Sequence, residues 1–195
     1  IREQPAKVKE FCDWLIEYET TWAMRRAQIM GAGRIPGADK IFFLDSRAAP
    51  PDASPAVFEE FFWPTVKKGI DVFAKRGFKP HVHIDGDLTK VLESMTNITS
   101  GIPKGKVILD LEKTDMKKAK EILGDKVCLY GNVPASLLVH GTVQDVRKYC
   151  RKLIEDCAEG GGYILSTECE TPWNSKPENV RAIIDSAREF GQYRR

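Results

Sequence analysis

Short apolar runs alternate with longer stretches of helical period along this chain. Five runs have the length and composition of buried strands: Lys40–Ser46 (KIFFLDS), Pro80–Asp85 (PHVHID), Lys106–Glu112 (KVILDLE), Lys126–Val133 (KVCLYGNV) and Gly162–Glu168 (GYILSTE). Amphipathic periods fill the intervals. Pro5–Met30 predicts one helix or a pair. Ser54-Pro55 supplies an N-cap and a first-turn proline for a run to about Arg76, closed by Gly77, with a kink expected at Pro64. Asp87–Met95 and Asp115–Leu123 predict short helices, the second closed by Gly124. Thr142–Ala158 opens on a capping threonine, with Asp145 placed to suit the helix dipole, and ends at Gly160–Gly162. Ser175 is the expected cap of a last helix running to Phe190 and closed by Gly191.

One helix followed by five β-α repeats argues a parallel sheet with helical crossovers. A phosphate-cradling loop is missing from the strand ends: Gly31-Ala32-Gly33 follows a helix, and Gly160–Gly162 precedes a strand. The doubly wound nucleotide fold therefore loses its main support, and the β/α barrel remains. Five repeats in 195 residues give about 39 each, whereas a closed barrel needs eight units and about 250 residues. The expectation is a single, partial domain over residues 1–195. It comprises the C-terminal five β/α units of a TIM-type (β/α)8 barrel. Such an arc leaves strand edges and a barrel interior uncovered, so a second chain or the N-terminal remainder of the barrel is an expected partner.

Composition narrows the function. Thirty basic against 28 acidic residues leave a formal charge of +2, too little to favour a nucleic-acid backbone. No apolar run approaches the ~18 residues of a membrane helix. Five cysteines (Cys12, Cys128, Cys150, Cys157, Cys169) form no C-x-x-C pair, so a cytoplasmic protein without a disulfide framework is expected. Most are expected to be buried small apolar residues, with Cys150 and Cys157 facing a core and Cys169 the exception.

The strand ends concentrate chemistry, as barrel active sites require. They carry Asp45-Ser46-Arg47, then His81, His83 and Asp85, then Asp110 and Glu112, then Gly131-Asn132, then Glu168-Cys169-Glu170. Alternation puts His81, His83 and Asp85 on the lumen face, and Val82 and Ile84 on the helix face. Spacing alone leaves two readings open: metal ligands, or an interior histidine with a capping aspartate. His81 fits the second. Cys169 lies beside Glu168 and Glu170, which raise a thiol's pKa and disfavour a free thiolate. A divalent metal reverses that logic. His83, Asp85 and Cys169 together are an N/O/S set with one position left open, the pattern of a catalytic zinc.

The series Gly131-Asn132-Val133-Pro134-Ala135-Ser136-Leu137-Leu138, Gly141-Thr142, Gly160-Gly161-Gly162-Tyr163-Ile164-Leu165-Ser166 and Pro177-Glu178-Asn179-Val180-Arg181-Ala182 resembles the uroporphyrinogen decarboxylase superfamily, as do His83-Ile84-Asp85-Gly86 and Leu44-Asp45-Ser46. The resemblance covers nearly the whole chain but only the C-terminal part of the family's barrel. The arginine-bearing N-terminal loop of the family has no counterpart here. The resemblance implies one of two chemistries. The cofactor-free decarboxylases carry a histidine where Cys169 stands. The corrinoid-linked methyltransferases bind zinc through His-x-Cys and a cysteine after the last strand. This chain is similar to them at His83 and Cys169 and departs at Asp85.

The methyltransferase branch is the closer resemblance. It implies zinc at His83, Asp85 and Cys169, and a corrinoid carried by a partner protein. The reaction would be methyl transfer between that corrinoid and a small thiol, methoxy or methylamine-type donor or acceptor. Glu112, Asp110 and Glu170 become catalytic or metal-supporting candidates, and Asp45, Ser46 and Asn132 substrate-binding ones. A decarboxylase-like carboxy-lyase and a non-catalytic half-barrel needing a partner chain are the alternatives.

Overall fold

The computed structural model describes residues 3–29, 40–45 and 50–192. Five strands form one parallel sheet in chain order: β1 (Lys40–Asp45), β2 (Lys79–Ile84), β3 (Ile108–Leu111), β4 (Cys128–Val133) and β5 (Tyr163–Thr167). The register aligns His83 with Asp110, Asp110 with Tyr130, and Tyr130 with Ile164. These residues form one row across the lumen face of a barrel arc.

The opposite face makes the core. Val82, Ile84, Leu109, Leu111 and Leu129 are fully buried there, and Val82 and Ile84 lie on the helix side as alternation demands. The covering helices are α1 (Pro5–Ile29), α2 (Pro55–Val57), α3 (Trp63–Lys75), α4 (Met116–Leu123), α5 (Ala135–His140), α6 (Val143–Cys157) and α7 (Pro177–Phe190). Cys150 and Cys157 are buried on α6, but Cys12 and Cys128 are only half-buried, contrary to the expectation for most cysteines. Among the described residues, no helix is long and apolar enough to cross a membrane.

Local chemistry explains most boundaries. Ser54 Oγ accepts the Val57 N–H at 3.3 Å. The distortion expected at Pro64 is taken up one turn earlier: Phe58–Phe62 is a π-helical turn joining α2 to α3. A proline lacks the N–H of the regular ladder, and a π turn is one way to absorb that loss. Thr142 and Asp145 form a reciprocal capping box at α6.

Two expectations are corrected. Asp87–Met95 is not a helix; only Leu92–Met95 forms a 3-10 turn. The preceding residues instead stay bonded to the loop after β3, with the Leu88 N–H donated to Thr114 Oγ1 and the Asp115 N–H to Thr89 Oγ1, both at 3.0 Å. The last helix is entered through Lys176, without a side-chain cap, rather than through Ser175. Pro177 in its first turn needs no acceptor for an N–H it lacks. The lumen face is also more polar than an apolar barrel interior: beside Ile108 and Ile164 it carries His81, Asp110, Tyr130 and Ser166.

Candidate metal centre

The centre is built where β2 and β5 deliver their last side chains. β2 positions His83, which is 4% exposed, with its neighbours Val82 and Ile84 anchoring the strand from the other side. Asp85 stands one residue beyond the strand. Gly86 then turns the chain with φ 94°, a conformation that costs a side-chain-bearing residue more. Its backbone is fixed at both ends: the Gly86 N–H donates to Glu112 Oε2 at 2.7 Å, and the Lys113 N–H donates to the Gly86 carbonyl at 3.1 Å. Cys169 follows β5 by two residues, and the Thr167 hydroxyl donates to its carbonyl at 2.6 Å.

These elements bring one ligand atom each from His83, Asp85 and Cys169 to within 4.8 Å of one another. A tetrahedral ion with bonds of about 2.0–2.3 Å holds its ligands about 3.3–3.7 Å apart, so a small approach of the side chains closes the set. His83 Nε2 already lies 2.9 Å from Asp85 Oδ1. One imidazole, one carboxylate and one thiol suit zinc, and three ligands leave one position for a reacting group.

The electrostatics is that of two carboxylates around a ring. Asp110 Oδ2 lies 3.0 Å from His83 Nδ1 and 3.4 Å from His81 Nε2. The adjacent Asp110 raises the pKa of His83 above the usual imidazole value, against burial; Asp85 adds to the rise. Burial pushes Asp110 up, but the two rings outweigh it and hold the carboxyl below the ordinary range. Burial, then the charges of Asp85, Glu112 and Glu170, raise the Cys169 thiol. Without a cation, the cysteine is therefore a poor thiolate.

The other sequence candidates fall in different places. Asp110 sits between the two histidines. Glu112 is occupied by the Gly86 N–H and by Lys113 Nζ at 3.2 Å. Glu170 is exposed, near enough to influence Cys169. Asn132 is buried and donates from Nδ2 to the Thr114 carbonyl at 2.8 Å. It joins Glu112 and Glu168 in lining a cleft of about 670 Å³ above α4 and α6. Asp45 ends β1 opposite Ile84, and Ser46 lies outside the described residues, as do Gly31–Gly33.

Three relationships were not foreseen. Ser166 Oγ donates to the Tyr130 hydroxyl at 2.8 Å, and the Tyr130 and His81 rings lie 5.1 Å apart. Glu168 accepts the Ala135 N–H at 2.8 Å, which makes it a partner of the α5 N-terminus rather than of Cys169. The pairing of His81 with Asp110 had one legible signal, an aspartate at a lumen-facing position inside an otherwise apolar strand.

A parallel barrel arc with polar groups gathered at the strand ends defines a β/α-barrel enzyme scaffold. The Uroporphyrinogen decarboxylase (URO-D) family matches residues 1–190, and the chain belongs to that family. It is 26% identical over 160 residues to a uroporphyrinogen decarboxylase of Chlorobium luteolum, covering 78% of this chain and 42% of that one. It is 33% identical over 76 residues to one from Pseudoalteromonas translucida, covering 39% of this chain and 21% of that one. The chain thus spans less than half the length of these relatives. Its fold is similar to a methyltransferase from Methanosarcina mazei, with a TM-score of 0.76 and 24% identity over 98% of this chain and 53% of that one. The partial TIM-type barrel and the superfamily are those the sequence predicted.

Proposed function

We propose that the chain is the C-terminal part of a corrinoid-linked methyltransferase, residues 1–195 being one partial barrel domain. The observation that carries this reading is the convergence of His83, Asp85 and Cys169 within 4.8 Å. The decarboxylases that the chain resembles carry a histidine where Cys169 stands, whereas a thiol there suits a zinc site. A bound zinc would act as a Lewis acid, lowering the pKa of a coordinated thiol or polarising a methoxy oxygen. His83 and Asp85 hold their donor atoms on a strand end, Cys169 closes the set, and the Glu112–Gly86 bond keeps Asp85 in place. Asn132 would orient a small substrate from the adjoining cleft. Asp45 and Ser46 are the further substrate-binding candidates. A corrinoid protein would dock over the mouth.

The test is zinc stoichiometry by mass spectrometry, with methyl transfer from free methylcobalamin to a small thiol followed by the cobalamin spectrum. Near one zinc per chain, and thiol methylation lost in Cys169→Ala, is the expected result. A metal-free protein that removes carboxyl groups from a tetrapyrrole would favour the second reading, a cofactor-free carboxy-lyase, which the names of the decarboxylase relatives support.

A further inference from the structure

Among the described residues, Asp110 is the one carboxylate within reach of both lumen histidines. Its Oδ2 lies 3.0 Å from His83 Nδ1 and 3.4 Å from His81 Nε2, and its side chain is 9% exposed. The opposite ring nitrogen of His83, Nε2, points to Asp85 at 2.9 Å. An imidazole caught this way has one nitrogen committed to each side. Metal-binding histidines in general give their second N–H to a carboxylate or carbonyl, which fixes tautomer and ring angle.

We propose that Asp110 is a positioning residue that keeps the His83 Nδ1 proton and so presents Nε2 to Asp85 and Cys169, with His81 as a second ring on the same carboxylate. The proposal deepens the metal-site reading and rests on it for its consequence, though not for the tether itself. Register supports it: Asp110 is the β3 partner of His83, so the contact is made by two strands of the sheet rather than by loops. Among the described residues, Asp110 Oδ1 is buried without a hydrogen-bond partner, so no competing donor among them holds the carboxylate there. Its burial is explained by the two rings. Tyr130, 5.1 Å from His81 by ring centroids and bonded to Ser166, walls the far side of that ring.

The test needs two readouts on the full chain. The first is a ring N–H spectrum of the metal-free protein labelled with ¹⁵N-histidine, tractable because the chain holds three histidines. A His83 Nδ1–H protected from solvent exchange is expected in the parent and in Asp110→Asn, whose carbonyl still accepts, and its loss is expected in Asp110→Ala. The second is zinc affinity by chelator competition, expected to fall about 10–100-fold in Asp110→Ala and less in Asp110→Asn. Thermal melting of each metal-free variant separates misfolding from loss of the tether. An unprotected Nδ1–H in the parent, or its survival in a folded Asp110→Ala, overturns the proposal. Zinc affinity unchanged in that variant overturns it as well. A parent with the protected proton but no zinc binding would instead remove the metal reading and leave the tether standing.

Discussion

Glu112 accepts the backbone N–H of Gly86 at 2.7 Å, and that one bond ties the turn carrying Asp85 to the end of β3. A carboxylate that looked like a catalytic acid is committed to holding a neighbour. Losing it strands a half-buried N–H and frees the turn. Glu112→Ala should destabilise the protein by about 1.5–3 kcal/mol, the usual range for a hydrogen bond to a charged group. Glu112→Gln, which keeps an acceptor oxygen, should cost less. Urea unfolding of both variants measures this; equal stability of parent and Glu112→Ala would show that the Lys113–Gly86 bond suffices.

Cys169 titrates above its ordinary value of 9.0 because burial and the surrounding carboxylates oppose the thiolate. In metal-free protein at pH 8, less than about a tenth of it should be ionised. Alkylation by iodoacetamide, read at the Cys169 peptide by mass spectrometry, should accelerate as pH rises past 9. Zinc should suppress it at every pH by occupying the sulfur. Fast alkylation at pH 7 would contradict the electrostatics.

The sheet was legible because its strands are apolar on the helix face and interrupted by polar residues on the other. Val82 and Ile84 against His81 and His83 show that code most clearly. The segment Asp87–Met95 was misread for a physical reason. Leu88, Val91, Leu92 and Met95 have helical spacing and are all buried, yet Gly86, Leu88 and Thr89 are held in a turn bonded to residues 112–115. A period reports which residues are inside, not which backbone puts them there. The site was legible as a list of residue types at strand ends. Which carboxylates are free and which are spent, as Glu112 on Gly86 and Glu168 on Ala135, depends on contacts between loops distant in sequence.

The His83–Asp110 pair should leave opposite marks on stability. The His83 pKa is raised, so its contribution is full below the unfolded value of 6.5 and is lost as pH rises through the folded one. Asp110 is lowered, so its contribution is present above 3.8 and is lost as pH falls through its folded value. The stability difference between parent and Asp110→Asn should therefore peak between about pH 4 and 6.5 and shrink on both sides. Urea unfolding across pH 3 to 9 gives the curve. A difference that keeps growing above pH 7 would mean the ring is not charged against Asp110.

The α1 helix carries a last prediction. Phe11, Trp14, Tyr18 and Trp22 recur along one face, remain 45–56% exposed, and stack in sequence with centroids 5.8, 5.2 and 6.3 Å apart. The other face packs on α3, through Lys68 to Asp13 at 2.5 Å among other contacts. Such a stripe is larger than the scattered apolar residues of a free surface. An aromatic side chain hides roughly 150–250 Å² when fully covered, so covering the exposed half of four rings on each of two copies removes about 600–1,000 Å². That lies below the ~1,200 Å² of a stable interface and fits a weak one. The chain should self-associate at tens of micromolar, and Trp14→Glu with Tyr18→Lys should sediment as a monomer at the same concentration with its melting temperature kept. A parent that stays monomeric to about 100 µM would show that the stacked rings are satisfied by one another.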